Sequence, residues 1–119
     1  MLCTERVNMK LDELISQLAE IEEALKKIHP DLESDNEKVI LARSTKLNEE
    51  VGELMEEVLL KLGLQRPEKY EGHDKSNIEK ELGDVFNSLI LLGLRLGIDV
   101  KKAITTRVDE MHKKYVTNK

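Results

Sequence analysis

Aromatic side chains are nearly absent from this sequence: 119 residues contain no Trp, one Phe and two Tyr. The core must be aliphatic, and a ring-stacking site has few candidates. Cysteine occurs once, at Cys3, which excludes an internal disulfide and fits a reducing compartment. Basic charge is not in excess. The 24 acidic and 19 basic residues sum to −5, which argues against a nucleic-acid polymer as partner, since phosphates call for a basic face. A long hydrophobic run is missing too. The longest, Leu89 to Ile98, is interrupted by Arg95 and too short to cross a bilayer, so no membrane partner is expected. No basic-then-apolar leader opens the chain, and a cytoplasmic location is the expectation.

With only two prolines and six glycines, long segments run unbroken, and their apolar residues recur at helical spacing. Val7, Leu11, Leu14, Leu18, Ile21, Leu25 and Ile28 form a heptad seam ended by His29-Pro30, so residues 1–30 read as an N-terminal helix. It is either one edge of an intramolecular bundle or a dimeric coiled coil. Ser34-Asp35-Asn36-Glu37 fits a capping box that opens a second helix running to Leu62, with Gly63 as its stop. Ser76-Asn77-Ile78-Glu79 opens a third, ending near Gly97. Asp99 caps a fourth that carries Val100, Ile104, Val108, Met111 and Tyr115 on one side. No alternating strand pattern occurs. The expectation is an all-α four-helix bundle, one domain over residues 1–119. The third helix is apolar nearly all round in its second half, which calls for cover by another subunit, a homodimer or homotetramer.

An internal repeat carries the chemistry. Shifted by 31, Leu47-x-x-Glu50-Val51-Gly52-Glu53-Leu54-Met55-x-x-Val58-Leu59-Leu60 lies over Ile78-x-x-Glu81-Leu82-Gly83-Asp84-Val85-Phe86-x-x-Leu89-Ile90-Leu91. Apolar matches are what any two amphipathic helices share, so the acid-apolar-Gly-acid core is the informative part. At about 100° per residue, Val51, Leu54, Met55 and Val58 span one sector, with Glu50 and Glu53 on its flank. Leu82, Val85, Phe86 and Leu89 repeat that sector, with Glu81 and Asp84 on the matching flank. If the two helices pack antiparallel through these apolar stripes, four carboxylates converge. Such a cluster needs a cation, and oxygen ligands without thiolate or paired histidines suit Mg²⁺ or Mn²⁺. Gly52 and Gly83, each costing a helix about 1 kcal/mol against Ala, suggest close helix approach or room for a ligand. A ferritin-like di-metal bundle would need Glu-x-x-His, which neither helix has.

Glu49-Glu50-Val51-Gly52-Glu53, then 27 residues, then Glu81-Leu82-Gly83-Asp84 resembles the EExxE…ExxD signature of MazG-type nucleotide pyrophosphohydrolases, all-α enzymes. The likeness covers about residues 38–115, including Lys46-Leu47 before the first motif, Gly97-Ile98-Asp99 after the second, and the basic-then-Tyr stretch from Arg107 to Tyr115. The resemblance implies hydrolysis of nucleoside triphosphates to monophosphate and pyrophosphate, in housecleaning of the nucleotide pool. It implies Glu50, Glu53, Glu81 and Asp84 as Mg²⁺ ligands, and Glu49 as an acid that orients or deprotonates the attacking water. Lys46, Arg107, Lys114 and Tyr115 become candidates for substrate contact. Many members carry a base-stacking aromatic shortly after ExxD, where this chain has Asn87 and Ser88. That leaves Tyr70, Phe86 and Tyr115 as candidate stackers, with Phe86 expected in the core stripe. Many relatives also have Asn where Met111 stands. Two alternatives are a non-catalytic helical dimerisation module and a phosphoribosyl-ATP pyrophosphohydrolase-like enzyme. The latter usually shows a histidine after ExxD that Val85-Phe86-Asn87-Ser88 lacks. His73 and His112 read as surface histidines.

Overall fold

The computed structural model describes residues 9–69 and 77–117, without the side chains of residues 32 and 33. Cys3, Val7, Tyr70, His73 and Ser76 lie outside the described residues. Helices α1 (Leu11–Ile28), α2 (Asn36–Lys61), α3 (Asn77–Arg95) and α4 (Val100–His112) make up the fold. A single helical turn, Pro30–Glu33, joins α1 to α2, and a wider π turn, Lys113–Thr117, follows α4. There is no strand among the described residues. The all-α expectation holds, and so does the order of the helices.

Helix ends follow local chemistry. Asp35, rather than Ser34, caps α2: its carboxylate accepts from Lys38 N–H at 3.2 Å, while the Ser34 hydroxyl donates back to Asp31 C=O. Either side chain can take a cap, but Ser34 is already satisfied by the preceding turn. Asp99 caps α4 through Lys102 N–H, as its position suggested. Both α2 and α3 end on a glycine of positive φ. Gly63 (φ 71°) lets Leu64 N–H reach Leu59 C=O, and Gly97 (φ 73°) lets Ile98 N–H reach Gly93 C=O.

The core is aliphatic. Leu18 of α1, Ile90 of α3 and Val100 of α4 are buried together, with Ile15, Leu91, Leu94 and Ile104 around them. Val108, Met111 and Tyr115, expected on the same side of α4 as Val100, are exposed. The heptad seam of α1 is rotated from its expected register. Leu11, Leu18 and Leu25 turn inward as expected, but Ile15 and Glu22 take the places of Leu14 and Ile21, which are exposed with Ile28. The cause is Glu22. Only 6% exposed, it places Oε2 2.8 Å from Arg43 Nη2 of α2 and Oε1 3.3 Å from Arg95 Nη1 of α3. One carboxylate thus ties α1 to both central helices, and the helix turns to deliver it.

Close helix approach occurs at Gly93, not at Gly52 or Gly83. A Cβ on Gly93 would stand 2.9 Å from Val100 Cγ2, whereas nothing lies within 4 Å of a Cβ at the other two. Gly52 and Gly83 face open space because the surfaces that carry them are not packed within the chain.

Two outcomes are expected on thermal unfolding. Glu22→Ala lowers stability by about 3–5 kcal/mol, since it removes the buried carboxylate that Arg43 and Arg95 both face. Gly93→Ala lowers it by about 1–3 kcal/mol, because α4 must move away from α3.

Candidate metal centre

Helices α2 and α3 run antiparallel. Their facing positions descend on one as they ascend on the other: Glu50 meets Glu81, while Val39 and Arg43 share a cavity wall with Leu91 and Ser88. The contact differs from the expected one. The helices meet through Glu50 and Leu54 on α2 and Glu81 and Val85 on α3, all buried or half-buried. Val51 and Met55, with Leu82, Phe86 and Leu89, are exposed instead; Leu82 is 61% exposed. Phe86 is therefore not a core residue of the single chain. Each exposed position follows a contact position by one residue, about 100° on. In an antiparallel pair that step carries both stripes to the same side. The carboxylates hold the seam because the apolar stripes, left free, form a separate face.

Glu50, Glu53 and Glu81 each offer an oxygen within 4.8 Å of the others. Glu50 is 6% exposed and Glu81 8%, while Glu53 opens to solvent. Asp84, the fourth expected member, turns aside to Lys80, whose Nζ lies 2.9 Å from Asp84 Oδ2 and 3.8 Å from Glu81 Oε1. Lys46 serves the other end: its Nζ is 3.0 Å from Glu50 Oε1 and 3.7 Å from Glu49 Oε2. These contacts raise both ammonium pKa values, Lys46 chiefly by its hydrogen bond to Glu50 and Lys80 chiefly by its bond to Asp84. The Glu53 carboxyl is pushed up from its usual value, first by the charge of Glu50 and then by a hydrogen bond with Glu81.

The donor set fits a hard divalent cation. Glu50 Oε2 and Glu81 Oε2 are buried without a hydrogen-bond partner, a condition that costs free energy unless something positive meets them. The candidate ligand atoms of the cluster are all carboxylate oxygens, the ligand type of Mg²⁺ and Mn²⁺.

Other expected site residues lie elsewhere. Arg107 pairs with Glu110 on its own helix, and Lys114 Nζ sits 5.1 Å from the Tyr115 ring centroid in the π turn. No ion pair or hydrogen bond links Arg107, Lys114 or Tyr115 to the carboxylates among the described residues. His112 is on the surface, as expected. The sequence reading missed Lys80, which stands i−4 to Asp84, and the trio Glu22, Arg43 and Arg95. A signal for the trio was present in Arg95, a lone charge inside the most apolar run of the chain.

Fold and site together define an all-α protein whose central helices gather carboxylates suited to a divalent cation. A sequence model of the MazG nucleotide pyrophosphohydrolase domain matches residues 40–117. The chain belongs to this family, whose general activity is nucleotide pyrophosphohydrolysis with a divalent metal. Comparison with curated proteins gives no match, nor does comparison with solved structures. No helix among the described residues is long and apolar enough to cross a membrane.

A pH dependence follows from Glu53. Its carboxyl binds a proton more tightly in the folded chain than in the unfolded one, so protonation favours the fold. In the metal-free protein the contribution of Glu53 to stability is therefore lost as pH rises from 4.5 through its raised pKa. Glu53→Gln, which carries no charge, is expected to unfold at a higher temperature than wild type at neutral pH without metal. The gap should close as the solution is acidified, and thermal melts across a pH series check it.

Proposed function

We propose that this protein hydrolyses nucleoside triphosphates, ribo or deoxy, to the monophosphate and pyrophosphate with Mg²⁺, Mn²⁺ being able to substitute, in the cytoplasmic housecleaning of nucleotides. The observation that carries this reading is the pair of buried, unpartnered oxygens on Glu50 and Glu81 beside Glu53. Glu50, Glu53 and Glu81 would hold the cation, with Asp84 joining once released from Lys80. When bound, Mg²⁺ supplies charge neutralisation of the triphosphate and a water of lowered pKa.

The chain's own groups do the rest. Lys46, exposed at its tip and already between Glu49 and Glu50, is the cation best positioned to steady a phosphate oxygen. Glu49, exposed one residue before the cluster, takes the proton of the attacking water. The water oxygen bonds to the α-phosphorus, the bond to the α–β bridging oxygen breaks, and pyrophosphate departs. Net charge of −5 is no obstacle, because the cation mediates between acidic pocket and acidic substrate.

We also propose that the working form is a homodimer or homotetramer. The exposed face formed by Val51, Met55, Leu82, Phe86 and Leu89 is the support: a contiguous apolar surface of this kind marks an association site.

Incubation with a panel of nucleoside triphosphates and Mg²⁺ is expected to release pyrophosphate rather than phosphate. Glu50→Gln should reduce the rate by about 100-fold or more while leaving the fold intact. A folded protein that releases pyrophosphate from none of the panel would leave the non-catalytic helical module as the better reading. Light scattering at micromolar concentration should give a mass of two or four chains; one chain alone would overturn the oligomer.

A further inference from the structure

Under the 31-residue shift that relates the two motifs, Glu49 lies over Lys80 and Glu53 over Asp84. The outer carboxylates of the two motifs therefore differ in the neighbour one turn back, about 6 Å along the helix. Behind Glu53 stands an acid, which repels it; behind Asp84 stands an ammonium, which attracts it. The two carboxylates part accordingly. Glu53 brings an oxygen within 4.8 Å of those offered by Glu50 and Glu81. Asp84 Oδ2 instead lies 2.9 Å from Lys80 Nζ, and the same ammonium stands 3.8 Å from Glu81 Oε1. Meanwhile Glu50 and Glu81, 6% and 8% exposed, each keep a buried oxygen without a hydrogen-bond partner. The inner half of the cluster thus awaits a cation while its fourth carboxylate is held by a lysine.

We propose that Lys80 is a tethered counter-ion of the metal centre, holding Asp84 out of the cluster until the centre fills, when Asp84 leaves the ammonium and joins the other three carboxylates. This role rests on the reading of that cluster as a site for Mg²⁺ or Mn²⁺. The pair is suited to exchange. The Lys80 side chain is 66% exposed and that of Asp84 34%, so solvent screens their attraction and the lysine can swing out without moving α3. Two charges set among four carboxylates outweigh one ammonium set between two, whereas a monovalent ion brings no more charge than Lys80 already supplies. Lys80 thus sets the divalent-ion concentration at which the centre fills, and disfavours Na⁺ and K⁺. Because it acts through Asp84, it is a positioning residue. Lys46 differs, its ion pairs being with Glu49 and Glu50.

Mn²⁺ binding to the full chain, read by electron paramagnetic resonance and calorimetry without nucleotide, tests this in wild type, Lys80→Met, Asp84→Asn and the double variant. Position 80 is exposed, and Met keeps the length and helix preference of Lys, so the fold is retained. Lys80→Met is expected to tighten Mn²⁺ binding about two- to fivefold where Asp84 is present and to leave it unchanged in the Asp84→Asn background. Lys80→Arg, which keeps the charge, should bind as wild type does. Equal tightening in both backgrounds would show a lysine acting only by its charge at a distance and would overturn the proposal. So would no tightening in Lys80→Met. Should Asp84→Asn bind too weakly to measure, the Lys80 ammonium is followed by nuclear magnetic resonance. Its signal is expected to shift and its mobility to rise as Mg²⁺ is added, and an ammonium unchanged at saturation overturns the proposal. Binding by Lys80→Met with none by wild type supports it; binding by no form overturns the metal centre and the role of Lys80 together. A protein that binds Mn²⁺ but releases no pyrophosphate loses the enzyme reading alone, and Lys80 is judged by the same affinities.

Discussion

Like charges held together at a helix seam are the constraint on which the rest of this structure depends. Glu50 and Glu81 face one another across α2 and α3, both buried, with Glu53 beside them. An interface of this kind would separate if charge were the only consideration. Lys46 at one end and Lys80 at the other offset part of the repulsion, each through an i, i+4 ion pair on its own helix. They do so from exposed stems, and two inner oxygens remain unmet. The chain therefore preserves a small region of uncompensated negative charge, which is what selective binding of a divalent cation requires.

Keeping that seam closed without burying the apolar stripes shifts the work to other contacts. The core of Leu18, Ile90 and Val100 joins α1, α3 and α4. Glu22 then locks α1 onto α2 and α3 through Arg43 and Arg95. A buried ion trio is a poor source of net stability compared with well-packed aliphatic residues, but it is directional. It fixes the rotation of α1 about its own axis, which a seam of interchangeable Leu and Ile does not. That rotation decides whether Leu25 faces the cavity.

Much of this was legible in the sequence. Helix order, the Asp99 cap and the two glycine stops are local matters, decided by residues within one turn of each other. The pairing of Glu50 with Glu81 was legible because a repeat in phase with the apolar stripe reports on both helices at once. The helix face that makes the contact was not. Val51 and Met55 on α2 and Leu82 and Phe86 on α3 look like core by hydrophobicity, and periodicity does not say whether an apolar face is covered by the same chain. Of the two readings of Gly52 and Gly83, close helix approach fails for the same reason, since it was inferred from a surface that the chain leaves open, and space beside both glycines is what the structure has. Glu22 was hidden for a different reason: a glutamate on a helix is ordinarily a solvated residue, and only the distant Arg43 and Arg95 make it a buried one.

The scarcity of aromatics has its consequence at the same place. A chain with one Phe and two Tyr has little with which to stack a base, and Phe86 is committed to the exposed apolar face. The cavity beside the seam is lined by the aliphatic Leu25, Val39, Ala42 and Leu91 and by one ring, the imidazole of His29. Two antiparallel helices give two walls and an open edge. Leu25 of α1 gives the cavity a wall from outside that pair. The ion trio that Glu22 makes with Arg43 and Arg95 fixes the rotation of α1, and with it which side chains of α1 meet the cavity.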